Sequence, residues 1–508
     1  MNMMGKDSKL GKSIVISYIS IIFTLLSGFL YTPWLIRELG TSDYAIYSIA
    51  TSLVVYFTMD FGIGATITRF IARCRAEDNE EKIKGILGIA LKIYLIIDAI
   101  AFIALFILFF FISGLYQGLT LAEVSRLKVV YIIIGMMTVF CIPLMPLNGV
   151  YIAYNRIYNV KIFDLLTKVI TIILVCIALL SGHGLYVMVL INAAVTVGIN
   201  YIKLVYLLRT ENIKINITYK DKKVLKEILL FSGWLALAMV ADKFFFSIEP
   251  SLLGAFSNST QVAIFAVASQ MEGYVLLLAD GLNGIFLPKV TEMVVRKENT
   301  EKITDLMIKV GRLQLLIVTA LIIGIITQGK QFIEIWFGKN YILSYYAVII
   351  VLIPCFIHMT QGIASEMIYA TNNVRYRAFS YCVGAVINVI LTVVLSPKLG
   401  SIGAAIGISI GFFVGHELIM NIIYYKMLKL NIRRFFANCH LKMIIPATIS
   451  LGLGYLISKL KIGYGFEGLM LKCFIWLLCY VVCVYFLFMN GQEKNIVKNI
   501  LRKIRIIK

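Results

Sequence analysis

The chain has 508 residues, of which 60% are hydrophobic and only 15% charged, with a mean hydropathy of +0.89 and a formal net charge of +21. Charge this sparse excludes a water-soluble enzyme of the same length. The near-continuous apolar runs exclude a membrane β-barrel, whose strands alternate apolar and polar residues.

Runs of about 18 or more apolar residues are long enough to cross ~30 Å of hydrocarbon as helices. The expected fold is therefore an all-α integral membrane protein. Residues 1–12 form a basic flank. Its stretch GKDSKLGKS (Gly5 to Ser13) looks like a phosphate-binding loop, but its glycines are wrongly spaced and no strand precedes it. The first apolar run, from Ser13, is too long for a signal-peptide core and lacks a small-x-small cleavage site, so it is read as a retained helix.

Fourteen spans are expected, at 13–36, 45–70, 86–112, 129–153, 165–181, 184–208, 228–256, 260–288, 310–334, 345–371, 379–396, 399–426, 442–459 and 467–490. The split between the fifth and sixth rests on the short turn SGHG at Ser181 to Gly184. No connecting loop has room for a soluble catalytic domain.

The basic residues gather on one side. Lys203, Arg209, Lys214, Lys220, Lys222, Lys223 and Lys226 precede the seventh span, Lys289, Arg296, Lys297 and Lys302 follow the eighth, and Lys426, Lys429, Arg433 and Arg434 follow the twelfth. Positive charge marks the cytoplasmic loops, so both termini are expected inside. Trp34 and Trp336 then fall at the outer interface. This placement accounts for the positive charge without a nucleic-acid partner. The nine cysteines form no CxxC pair and mostly lie in apolar runs, so neither disulfides nor a metal site is expected. His358 and His416 are isolated in sequence, in keeping with no metal.

The sequence repeats. DFGIG at Asp60 matches DGLNG at Asp280, and EDNEEKIKGIL at Glu77 matches KENTEKITDLM at Lys297, both at an offset of 220. Ala153 and Asn155 meet Ala370 and Asn372 at an offset of 217. The unit is six helices, an even number, so both copies enter the membrane in the same direction. Two parallel six-helix lobes suit alternating access about a cavity. The expected division is an N-lobe at 13–208, a cytoplasmic linker at 209–227, a C-lobe at 228–426, two appended helices to 490 and a basic cytoplasmic tail at 491–508. The tail spaces Ile496, Ile500 and Ile504 for an amphipathic helix on an anionic leaflet.

Ionisable residues interrupt the spans: Asp60, Arg69, Lys92, Asp98, Lys168, Asp242, Lys243, Glu249, Glu272, Asp280, Arg312 and Glu366. A charge at the bilayer midplane costs roughly 2.5–3.5 kcal/mol on insertion scales, so such residues face water or each other. Asp242 and Glu249 are seven residues apart and are expected on one helix face, with Lys243 turned about 100° away. Each has a bland alternative. Arg69, Lys168 and Arg312 lie near helix ends and can snorkel, as can Lys472. Asp242 and Lys243 can form a structural pair, and Glu249, before Pro250, can simply be solvated. Gly403, Gly407, Gly411 and Gly415 recur every four residues and suit close helix packing. Pro143, Pro146 and Pro354 break the fourth and tenth spans at corresponding places.

The stretches PWLIRELGTSDYAIYSIATSL (Pro33 to Leu53) and DFGIGATITRFIA (Asp60 to Ala72) resemble the Wzx-type O-antigen flippases of the multidrug/oligosaccharidyl-lipid/polysaccharide exporter superfamily. ADKFFFSIEPSLLG resembles that branch's acidic-basic pair, with Lys243 where arginine is more usual; Glu249-Pro250 has no counterpart in the pattern. The resemblance implies a flippase, not an enzyme. It would export undecaprenyl-diphosphate-linked oligosaccharide across the bacterial plasma (inner) membrane for O-antigen or capsule, with membrane lipids, a polysaccharide polymerase and a chain-length regulator as partners. Lys243, Lys92, Arg69, Lys168 and Arg312 would contact diphosphate or sugar. Asp242, Glu272, Asp280, Glu366, Asp60, Asp98 and Glu249 would couple transport to a proton or sodium gradient, or hold those cations in place. No organic cofactor is expected. A drug/cation antiporter and a lipid II flippase of the same superfamily remain as alternatives. The first lacks need of two extra helices, and the second usually carries arginines in helix one, which here has no charge before Arg37.

Overall fold

A computed structural model describes residues 3–211, 213, 215–280, 286–371, 373–463, 465–491 and 493–495. Among these residues the chain is helical and contains no strand. Among the described residues thirteen helical stretches are long and apolar enough to cross a membrane. The chain forms two compact units, one comprising residues up to 266 with 392–400, the other comprising 267–391 and the chain from 401 onward.

The first unit contains α1 (Met3–Leu39), α2 (Thr41–Val54), α3 (Ile63–Ala76), α4 (Glu80–Leu115), α5 (Leu121–Cys141), α6 (Leu147–Ala153), α7 (Ile157–Leu180), α8 (Leu185–Glu211), α9 (Lys222–Phe246), α10 (Glu249–Phe256) and the start of α11 (Ser259–Asp280). Several of the expected spans are broken. The second becomes α2, a 3-10 turn (Val55–Thr58) and α3, because Phe61 and Gly62 take φ of 51° and 71°. The fourth breaks at a 3-10 turn, Ile142–Leu144, where Pro143 has no N–H to give. The expected span 228–256 is not among the thirteen and is realised as α9 and α10. Its break at Ser247 and Ile248 precedes Pro250, a residue suited to a helix's first turn and unsuited to its interior.

Glycine lets backbones touch in this unit. A Cβ at Gly88 would overlap the Asn216 carbonyl, and one at Gly85 would overlap the Tyr219 ring. Residues 216–219 lie in the resulting groove, where Asn216 N–H donates to the Lys84 carbonyl at 3.1 Å. Thr68 Oγ1 donates to the Gly149 carbonyl at 2.9 Å and ties α3 to α6. Ile67, Ile71, Ile86, Tyr94 and Tyr151 form the fully buried centre around these contacts.

The second unit contains the rest of α11, then α12 (Leu287–Val295), α13 (Thr300–Trp336), α14 (Ile342–His358), α15 (Gly362–Ala370), α16 (Val374–Leu399), α17 (Ser401–Phe412), a π-helical turn (Phe413–Ile419), α18 (Met420–Lys426), α19 (Ile432–Asn438), α20 (His440–Ser458) and α21 (Phe466–Leu487). The last turns of α16 together with Gly400, residues 392–400, belong to the first unit. The expected glycine ridge packs closely: a Cβ at Gly411 would stand 2.6 Å from the Gly384 carbonyl oxygen, and one at Gly415 2.9 Å from that of Ser380. The appended α20 and α21 pack on α13. Trp476 Nε1 donates to the Ser450 carbonyl at 3.2 Å, and the Tyr480 hydroxyl donates to the Leu316 carbonyl at 2.6 Å.

The repeat is visible in local geometry. Asp78, one residue ahead of the capping Asn79, and Lys297, two ahead of the capping Asn299, each take φ of 51°. Asn79 Oδ1 accepts from Lys82 N–H and Asn299 Oδ1 from Glu301 N–H, both at 3.0 Å, satisfying otherwise orphaned helix donors. The caps open α4 and α13, of 36 and 37 residues. The DGLNG segment of the repeat runs into 281–285, and the tail beyond 495 includes Ile496, Ile500 and Ile504; both lie outside the described residues.

Candidate functional site

The candidate site is a set of ionisable side chains carried on membrane helices, and each unit holds its own group. In the first unit, Asp60 sits at the entry to α3. Its carboxylate accepts from Gly64 N–H at 3.0 Å and from the Tyr94 hydroxyl on α4. One turn further along α4, Asp98 Oδ1 is buried and accepts no hydrogen bond among the described residues. Asp60, Tyr94 and Asp98 thus bring the carboxylates of two helices to one stretch of α4.

On α9, Asp242 and Lys243 are both partly buried. Among the described residues no hydrogen bond or ion pair is recorded for the Lys243 ammonium. The expectation that Asp242 and Glu249 share a face is corrected: α9 ends at Phe246, and the seven-residue spacing loses its helical meaning across the break. Glu249 is not solvated either. It is 1% exposed, stands in the first turn of α10 and is electrostatically coupled to the Tyr56 hydroxyl. A carboxylate is favoured at that end of a helix.

The remaining cations of the first unit are dispersed. Arg69 is exposed on α3. Lys168 is exposed on α7 and donates to Thr24 Oγ1 of α1 at 2.6 Å. Lys92 is partly buried and donates to the Tyr219 carbonyl at 3.2 Å, so it fastens the segment lying in the α4 groove.

In the second unit, Arg312 is buried at 4% exposure. Its guanidinium forms a two-pronged pair with Glu493, Nε–Oε1 at 2.7 Å and Nη2–Oε2 at 2.8 Å, and also donates to the carbonyls of Asn438 and Phe488. The Phe488 ring covers it at 4.0 Å. Snorkelling is excluded for this arginine. Lys472 does not snorkel either: it is 4% exposed and donates inward to Gln331 Oε1 at 3.1 Å and to the Ser458 carbonyl at 3.2 Å. Glu272 is buried on α11, and its Oε1 accepts no hydrogen bond among the described residues. The side chain of Asp280 is outside the described set.

Glu366, on α15, belongs to a cluster that sequence reading missed. Arg377 Nη1 donates to Ser365 Oγ at 3.0 Å, and its guanidinium lies over the Tyr369 and Tyr381 rings at 5.0 and 4.8 Å. His416 is stacked between Tyr381 and Phe412, with ring centres 3.8 and 4.1 Å away. His358 stands edge-on to His416 at 5.4 Å, so the two histidines are neighbours and not isolated. No group of three metal-ligating residues occurs among the described residues. The π turn places His416 and Glu417 side by side, both 2% exposed. Turns of this kind are frequent at functional sites. Glu417 was detectable as a carboxylate inside the twelfth expected span. Arg377 was not, because it fell just ahead of the eleventh.

A further missed residue is Glu123, 7% exposed. It closes a capping box with Thr120 and accepts from Ser42 Oγ at 2.7 Å, beside the Arg126–Asp43 ion pair. The pattern Thr-x-x-Glu before an apolar run was its signal.

The comparisons with known proteins agree with this architecture. Residues 10–286 match the family described as polysaccharide biosynthesis protein. A Shigella flexneri protein assigned as an O-antigen transporter is 22% identical over 362 residues, 70% of this chain and 83% of that protein. Among solved structures, the lipid II flippase MurJ in an inward closed conformation has a TM-score of 0.72 at 16% identity, over 93% of this chain and 98% of MurJ. An inward-facing multidrug resistance MATE transporter of the MOP superfamily has a TM-score of 0.62 at 16% identity, over 81% and 96%. Likeness at such identity establishes the fold. The family match takes in more than half of the sequence, and the chain belongs to the polysaccharide biosynthesis protein family.

Proposed function

We propose that this multi-pass membrane protein is a flippase that carries oligosaccharide linked to a polyprenyl diphosphate from the cytoplasmic to the outer face of the bacterial plasma membrane. The observation that carries the reading is the polysaccharide-family match on a chain folded like known flippases and exporters. A diphosphate crossing hydrocarbon needs cations held within the protein. Lys243 suits that task best, being partly buried on α9 with its ammonium uncommitted among the described residues. Arg69 and Lys168, both exposed on membrane helices, are further contacts. Lys92 and Arg312 are assigned to holding chain segments. Asp98 and Glu272 each present a buried carboxylate oxygen with no hydrogen bond among the described residues, which supports a role for them in ion coupling.

The gathering of basic residues in one set of loops supports a cytoplasmic position for both termini. Polymerase and chain-length regulator are the partners expected to take up the exported unit. The test is depletion in the source cell. Lipid-linked repeat units should accumulate at the cytoplasmic face while surface polysaccharide falls; unchanged polysaccharide refutes the reading. The likeness to MurJ gives a second reading, lipid II as substrate. Accumulation of lipid II in the same experiment would select it.

A further inference from the structure

At the end of the second unit where α13 reaches Trp336, a cavity of about 750 Å³ opens between α13, α14, α20 and α21. Its lining includes Thr327, Lys330, Gln331, Glu334, Tyr455 and Lys472. No part of the proposed export chemistry uses it.

Lys472 sets its character. The residue lies six positions into α21, about 9 Å along the axis, and its ammonium is directed into the protein. Its partners, the Gln331 oxygen and the Ser458 carbonyl at the end of α20, are neutral. A helix C-terminus favours a cation but supplies only a partial charge. Among the described residues no carboxylate lies within 4.0 Å of Lys472. Glu334 lines the same cavity but pairs with Lys339, at 3.9 Å. The cavity thus has two lysines against one glutamate that is engaged elsewhere, and Lys472 retains a third N–H. A buried ammonium with only neutral partners is costly to keep, and an oxyanion from outside the chain would complete it. Around this polar floor the walls are apolar, with Ile326, Leu451 and the body of Tyr455. Charge at one point and hydrocarbon around it describe a lipid with an anionic head.

We propose that this cavity binds the phosphate of an anionic membrane lipid, with Lys472 and Lys330 on the phosphate oxygens and the acyl chains along the apolar wall. The site lies in the leaflet that meets the ends of α13 and α20. It is independent of the export reading, since it uses none of the residues assigned to substrate.

The test uses full-length protein in phosphatidylcholine nanodiscs doped with phosphatidylglycerol, with native mass spectrometry to count retained lipid and thermal unfolding as a second readout. The wild type should retain phosphatidylglycerol and be stabilised by it. Lys472→Met should lower the preference over phosphatidylcholine by roughly five- to tenfold, the worth of one lysine near a lipid phosphate. Lys330→Gln, on an exposed position that cannot jeopardise folding, should lower it to a similar degree. Lys302→Gln, exposed on the loop turn of α13, should not. Equal retention by the wild type and Lys330→Gln overturns the proposal, as does an equal loss in Lys302→Gln, which would reduce the effect to overall charge. A parallel arm with undecaprenyl phosphate identifies the source. Displacement of phosphatidylglycerol from the wild type keeps the phosphate site and assigns it to the polyprenyl carrier; failure of both lipids to bind overturns it.

Discussion

Lys92 and Arg312 hold the same position in the two copies of the repeat, each thirteen residues beyond the asparagine that caps its helix, Asn79 for α4 and Asn299 for α13. Each donates to the backbone of a segment that returns to its helix from far along the chain. Lys92 takes the Tyr219 carbonyl ahead of α9, and Arg312 takes the Phe488 carbonyl after α21. The shared role is anchorage of a returning strand of backbone, performed by an ammonium in one copy and by a paired guanidinium in the other.

Arg312→Met should destabilise the protein by roughly 3–5 kcal/mol, the usual cost of leaving one partner of a buried ion pair alone. Arg312→Lys should recover only part of this, because an ammonium cannot reproduce the two-pronged contact with Glu493. Thermal unfolding in detergent measures both. A loss no greater than that of an exposed arginine, such as Arg433→Met, would show that the clasp contributes nothing.

The same clasp should be sensitive to acid. Burial pushes the Glu493 carboxyl up, but hydrogen bonds from Arg312 and from Asn490 N–H outweigh it and hold the group below its ordinary value. A lowered folded value stabilises above the ordinary carboxylate range, and that contribution fades as pH falls through the lowered value. Proteolysis of the segment after α21 should therefore accelerate in acid for the wild type. In Glu493→Gln it should be fast at every pH. A pH-independent rate in the wild type contradicts this.

Lys243→Ala should lower export by roughly 10- to 100-fold, the worth of a charge-assisted hydrogen bond, with protein level and unfolding temperature unchanged. Lys243→Arg should keep most of the activity. Radiolabelled lipid-linked oligosaccharide in reconstituted vesicles is the readout. Normal export by the alanine variant returns Lys243 to a purely structural role.

Gly88→Val should displace the segment before α9, because the new Cβ would occupy the Asn216 carbonyl position. Overpacking of this kind costs roughly 1–3 kcal/mol. Faster proteolytic nicking between α8 and α9 is the expected sign. Gly198→Val, where the space is open, serves as the control.

Asp98→Asn and Glu272→Gln should weaken the dependence of export on an imposed ion gradient while leaving binding of the lipid-linked sugar in place. Vesicle transport with and without a proton or sodium gradient separates the two effects. Undiminished gradient dependence in both variants removes them from coupling.

Membrane class, helix periodicity and the repeat were legible because hydropathy over twenty residues and a duplicated charged loop are written directly in the sequence. The breaks within spans were less so. Pro143 marked one, but neither the positive φ of Phe61 beside Gly62 nor the π turn before α18 has a proline to announce it. The charge at Glu249 shows the cost: an intact helix was assumed, and one two-residue interruption annulled the shared face with Asp242. Lys92, Arg312 and Lys472 could be recognised as charges within apolar runs. That they bind backbone carbonyls and Gln331 could not, since those partners lie 127, 176 and 141 positions away. The neighbouring His358 and His416 were likewise invisible, being 58 residues apart on different helices.

The asparagine caps give these helices an origin from which depth is counted. Lys92 lies about 20 Å and Asp98 about 28 Å along α4 from Asn79, at 1.5 Å per residue. One residue inserted between Asn79 and Lys92 would leave the hydropathy of α4 almost untouched. It would nevertheless swing everything beyond it through about 100° and carry Lys92 away from the Tyr219 carbonyl. Composition here tolerates exchange of one apolar residue for another, but counting does not tolerate error: the register between cap and cation is a dimension of the molecule, repeated in α13 with Asn299 and Arg312.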